Sequence, residues 1–142
     1  MLNNLTNLLE DNGQILVSPY YLKGEKLPND LIERAKRVLG INPTNFDYYT
    51  AIKPYENFEI IYENRKNIIP ETKEQMEKYS QDTINNACKI NGIIDQEIID
   101  YMYKRMYEIK DVCNELHKYF EYSVIVLRYR KDVYPNRFVE LF

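Results

Sequence analysis

Glycine is scarce in this chain. Gly13, Gly24, Gly40 and Gly92 are the only four among 142 residues, and each is isolated. A loop that cradles phosphate needs several glycines within a few positions, so neither a P-loop nor a dinucleotide fingerprint can be built. That excludes ATPase, kinase and Rossmann readings. Histidine is scarcer still, with His117 alone, and the three serines (Ser18, Ser80, Ser123) stand in no nucleophile-elbow motif. The two cysteines, Cys88 and Cys113, form no C-x-x-C pair and suit a reduced intracellular protein. Cys113 and His117 lie one turn apart, but the expected hairpin sets Cys88 opposite Ile99, roughly 21 Å along the helix from Cys113, so no metal site is expected. Apolar runs such as Val124–Leu127 fall far short of the ~20 residues of a membrane span. Met1–Gly13 has no basic and apolar leader pattern. A cytoplasmic location is the expectation.

What is present is ordinary globular material: 44% hydrophobic and 29% charged residues, with a net charge of −3. One domain spanning residues 1–142 is expected. The acidic balance argues against a DNA or RNA polymer as partner. The charge is uneven, however. Arg128, Arg130, Lys131 and Arg137 face only Asp132 between positions 128 and 137. Such a patch suits a small anion or, equally, a solvated surface.

The periodicity predicts an α+β chain. Leu2–Glu10 reads as a short helix and Gln14–Tyr21 as a strand interrupted by Pro19. Leu31, Ile32, Ala35, Val38 and Leu39 form one helical stripe, capped by Asn29 or Asp30 and stopped by Gly40. Phe46–Pro54 and Phe58–Glu63 read as strands, with Asn64–Lys66 as a turn. Thr72 and Gln75 fit a capping box. The helix it opens carries Met76, Tyr79, Thr83, Ala87 and Ile90 as its stripe. Asp95 caps a second helix running to about Phe120, with a seam of Met102, Met106, Ile109, Cys113, Leu116 and Phe120. Ser123–Arg130 is the closing strand, and Phe138–Phe142 a further one. The expected fold is an antiparallel sheet packed with a long antiparallel helical hairpin in the second half. The second helix, about 26 residues and roughly 39 Å long, is long for this chain and points to a homo-oligomer.

A second stripe flanks the seam: Tyr103, Tyr107, Lys110, Asn114 and His117. Tyrosine faces stack on bases, amides read polar edges, and guanidinium groups neutralise phosphate. Tyr103, Tyr107 and Asn114, with Arg128 and Arg130 on one strand face, therefore make a candidate ligand site, while Arg105 lies off the stripe. The same tyrosines also suit the rim of a subunit interface. No catalytic residue stands out. Asp111 and Glu115 leave a paired-acid hydrolase as an open rival.

The strand-rich first half, the helical pair from Thr72 to Phe120 and the closing Val124-Ile-Val-Leu-Arg-Tyr-Arg130 strand resemble the first family of phage Thoeris anti-defence proteins. The resemblance spans the chain through its general plan and rests on no short motif. It implies a non-catalytic sponge that sequesters a cyclic ADP-ribose isomer (glycocyclic ADP-ribose) made by TIR-domain immune proteins in the host cytoplasm. It also implies assembly as a dimer or higher oligomer, up to a hexamer, no cofactor, and capture of cyclic di- or trinucleotides by some members. The residues matching such a pocket in type are Tyr103, Tyr107, Arg105, Asn114, Arg128 and Arg130. The alternative is an oligomeric protein-interaction inhibitor with no nucleotide ligand.

Overall fold

A computed structural model describes residues 2–131 of the chain. The expected strand at Phe138–Phe142, and Arg137 with it, lie outside the described residues. The chain is mixed α+β and divides into two compact units, one of residues 1–21, 46–66 and 122–142, the other of residues 22–45 and 67–121.

The first unit is built on a sheet. After a short helix α1 (Leu2–Thr6) come strands β1 (Gln14–Val17) and β2 (Tyr20–Leu22), β3 (Glu59–Asn67) and the closing β4 (Phe120–Arg128). β4 pairs with all three others. Its pairing with β1 is antiparallel, with Gln14 opposite Arg128 and Val17 opposite Ile125. Ser123 N–H donates to the Pro19 carbonyl in that same register, so the ladder resumes beyond the break at Pro19. β4 alternates as a half-buried strand must: Ser123, Ile125 and Leu127 are buried while Val124, Val126 and Arg128 are less so.

Two sequence expectations fail here. Phe46–Pro54 is not a strand. It contains helix α3 (Tyr48–Ile52), followed by a 3-10 turn (Lys53–Tyr55). The cause is local, because the Asp47 carboxylate accepts from Thr50 N–H at 2.8 Å and caps the helix. The Thr50 side chain and this backbone N–H together hold the Asp47 carboxyl below its usual range. Asn64–Lys66 is not a turn, since β3 continues through it to Asn67.

The second unit is helical: α2 (Asn29–Leu39), α4 (Lys73–Asn91) and α5 (Gln96–His117). α5 packs against both α2 and α4. Its core gathers Leu27, Leu31, Ala35 and Val38 with Val112, Leu116 and Phe120. Ala35 and Val112 are wholly buried, and each large apolar side chain so buried stabilises by about 1.5–3 kcal/mol. The expected caps are present at Gly40, Asp95 and the Thr72/Gln75 box, whereas Pro28, not Asn29 or Asp30, precedes α2.

The helical seams are rotated from those expected. In α5 Val112 is fully buried while Cys113 is half-buried. In α4 the buried row is Met76, Ser80, Ile84 and Cys88, while Tyr79 and Ile90 are exposed. A strict four-residue step forms the ridge that interdigitates with a neighbouring helix, and small Ser80 and Cys88 permit close approach. α5 also ends at His117, because Phe120 already belongs to β4.

The Ser80 hydroxyl in this seam is buried without a hydrogen-bond partner. An unsatisfied buried polar group costs about 1–3 kcal/mol. Ser80→Ala is expected to raise the unfolding free energy by about 1 kcal/mol in urea titrations. A loss of stability would show that the hydroxyl is paired.

Candidate functional site

The second stripe of α5 is largely committed to holding the chain together. Asn114, 6% exposed, accepts from Glu71 N–H at 2.7 Å and donates to the Glu71 carbonyl at 2.9 Å. One amide thus satisfies both backbone groups of the residue that leads into the α4 cap. Lys110 forms an ion pair with the Glu71 carboxylate and lies 4.3 Å from the Tyr79 ring centroid. Burial pushes the His117 imidazole pKa down, opposed by Glu71, and pushes the Cys113 thiol up, opposed by Lys110. Tyr103 and Tyr107 stack with centroids 6.4 Å apart and stay half-buried. Arg105 donates to the Val38 carbonyl at 2.6 Å and to Glu108 at 3.1 Å. It therefore supplies a cation and a donor to the C-terminus of α2, where carbonyls lack helical partners.

Arg128 and Arg130 belong to the first unit. Both address Glu59 Oε2, at 3.7 and 3.0 Å. Reaching one carboxylate from alternate positions agrees with their sharing a strand face. The six sequence-nominated residues thus fall four on α5 and two at the end of β4. The structure gives Arg105, Asn114, Arg128 and Arg130 partners within the protein.

A different cluster stands out in the first unit. Glu63 of β3 is a half-buried carboxylate with hydroxyl donors around it. Tyr48 of α3 donates to its two oxygens, at 2.8 and 2.9 Å. Ser123 of β4, itself fully buried, lies 3.0 Å from Oε1. Buried Tyr21 of β2 meets Ser123 Oγ at 2.9 Å. Arg65 completes the group with Nε 3.6 Å from Glu63 and its guanidinium 3.5 Å over the Tyr48 ring. Burial and the bond to Glu63 push the Tyr48 phenol up, while Arg65 pulls the other way. Below its raised pKa Tyr48 is therefore a neutral donor to Glu63. The arrangement can fix a cation or a hydrogen-bonding ligand against an aromatic face. Sequence reading missed it because Tyr48 was placed in a strand and Arg65 in a turn. The available signals were Asp47 as a cap and the two-residue spacing of Glu63 and Arg65.

With this geometry in hand, solved structures give a comparison. The crystal structure of MccD protein superposes with a TM-score of 0.72 at 17% identity, over 91% of this chain and 53% of that one. YjhP from E. coli gives 0.51 at 15% identity, over 86% and 49%. A Haemonchus contortus phosphoethanolamine N-methyltransferase 2, solved with phosphomonomethylethanolamine and S-adenosylhomocysteine, gives 0.51 at 12% identity, over 89% and 29%. The chain spans about half the length of the first two and less of the third. These likenesses concern the fold. No protein-family model and no curated protein matches the chain.

The sponge reading is corrected by these neighbours. One of them is named a phosphoethanolamine N-methyltransferase and none of the three is named a Thoeris anti-defence protein, so sequestration of a cyclic ADP-ribose isomer does not stand. The expectation of a non-catalytic protein is corrected with it, since one of these structures is named a methyltransferase. The inhibitor alternative gains no support either. The general plan misled because a strand-rich half followed by two long helices is not specific to one family.

A nucleoside methyl donor of the S-adenosyl type does not fit the described residues. Such nucleosides typically sit at the carboxyl ends of parallel strands, beside a glycine-rich turn. Here β1 pairs antiparallel with β4. Gly24, Gly40 and Gly92 hold positive φ with open space around them, as turn and cap glycines, and Gly13 abuts the Glu10 carbonyl. Among the described residues no group of three or more His, Cys, Asp or Glu is placed to hold a metal ion.

Because the Tyr48 phenol is raised above its ordinary 10.0, its contribution is fully present below pH 10 and is lost as pH rises through the folded value. Stability measured by urea melts is expected to fall as pH rises above 10, and less in Tyr48→Phe. Identical slopes would show that the phenol is not held by Glu63.

Proposed function

We propose that this chain serves as the acceptor-binding portion of a small-molecule methyltransferase-type enzyme, with Glu63 and Tyr48 facing the acceptor. The observation that carries this reading is the fold likeness to MccD and to a chain named as a phosphoethanolamine N-methyltransferase, covering about nine-tenths of the present chain but only 53% and 29% of theirs. The poor fit of the described residues to an S-adenosyl nucleoside supports assigning the chain to the acceptor side. Within this reading α4 and α5 form an antiparallel hairpin, supported by their mutual packing and the short Gly92–Asp95 connection. Glu63 supplies the charge and Tyr48 the face, while Ser123 and Tyr21 hold the carboxylate in place. The stacked Tyr103 and Tyr107 remain candidates for a second ligand contact on α5.

Calorimetric titration with phosphomonomethylethanolamine and with S-adenosylhomocysteine tests this directly. The chain is expected to bind the amine and to show no saturable heat with the nucleoside, and Glu63→Gln is expected to weaken amine binding by about tenfold, the equivalent of a charge-assisted bond of about 1.4 kcal/mol. Tight nucleoside binding without amine binding would place the chain on the donor side instead.

A further inference from the structure

Glu63 and Arg65 stand two residues apart on β3, so both side chains leave the strand on one face. The Tyr48 ring is fixed by edge contacts, with Tyr21 at 5.2 Å and 78° and Tyr49 at 5.5 Å and 73°. A ring held this way presents a π face, whose negative quadrupole attracts cations. Beside that face lies a carboxylate whose hydroxyl donors stabilise the anion without cancelling its charge. Ring and carboxylate together make a seat for a positive group.

The chain already seats one there. The Arg65 guanidinium lies 3.5 Å over the ring centroid. It is held loosely, because its Nε is 3.6 Å from Glu63, beyond hydrogen-bonding distance, and its side chain is 55% exposed against 23% for Glu63. A flat guanidinium tethered to β3 covers the ring and pairs with the carboxylate at 3.6 Å without hydrogen-bonding to it. A rounder ammonium head can touch both. Among the described residues, the other ion pairs of the unit are self-contained, as Arg128 and Arg130 are matched to Glu59.

We infer that Tyr48 and Glu63 form a seat for an alkylammonium ligand, and that Arg65 fills the seat until the ligand displaces it. This names the acceptor class of the site and rests on the acceptor assignment made above. Its test does not depend on methyl transfer. Choline is quaternary, so it binds such a seat without being an amine acceptor, and 3,3-dimethylbutan-1-ol is its uncharged counterpart.

In calorimetric titrations Arg65→Ala is expected to bind choline about fivefold tighter than the unsubstituted chain, as removal of a competing cation requires. The neutral alcohol is expected to give no heat with either. Tyr48→Phe, which keeps the ring, is expected to retain choline binding, and Tyr48→Leu to lose it. Unchanged or weaker choline binding in a folded Arg65→Ala protein would overturn the inference, as would equal binding of the alcohol. If phosphomonomethylethanolamine binds and choline does not, the ammonium seat alone fails. If choline behaves as expected and the phosphorylated amine does not bind, the seat stands and the methyltransferase reading fails.

Discussion

The carboxylate of Glu63 is the constraint on which the first unit turns. It sits half-buried on β3 and is tolerated because hydroxyl groups from other segments converge on it. A carboxylate out of water without such donors is strongly unfavourable. Meeting that demand fixes α3 through Tyr48 and β4 through Ser123, and it orders β2 through the Tyr21–Ser123 bond. The requirement that stabilises the unit also brings together an anion, a phenol donor and an aromatic face covered by the Arg65 guanidinium. Exposed Ile60, Ile61 and Tyr62 lie on the same strand, so β3 carries both apolar and charged chemistry at the surface.

The second unit solves a parallel problem with different residues. The backbone entering α4 has polar groups that no helix satisfies, and buried Asn114 supplies both partners. Arg105 does the same for a carbonyl at the end of α2. These two residues look like ligand-binding groups in the sequence, because an amide and a guanidinium beside tyrosines are what a nucleotide site contains. In the fold they complete the chain's own hydrogen bonds, which require the same side-chain types.

Much of the architecture was legible from local chemistry. The Thr72/Gln75 box, the Asp95 cap and the left-handed Gly40 mark helix ends, and Pro19 marks the break in the first strand. The rotation of the α4 and α5 seams was not legible, because Ser80 and Cys88 are poor hydrophobic signals although they sit where helices approach. The site was hidden for a related reason. Tyr21, Tyr48, Glu63 and Ser123 come from four separate segments, and no spacing rule links residues joined only by tertiary structure. The likeness in fold to those solved structures was equally hidden, since identity to them is 17% or less.

The central claim is that ligand recognition lies at Tyr48 and Glu63 and not on the α5 stripe. Backbone amide NMR shifts recorded during a titration with phosphomonomethylethanolamine separate the two. The account predicts saturable changes at Tyr48, Glu63, Arg65 and Ser123, with Tyr103, Tyr107 and Asn114 unmoved. Changes confined to α5 would contradict it and return the site to the tyrosine stripe.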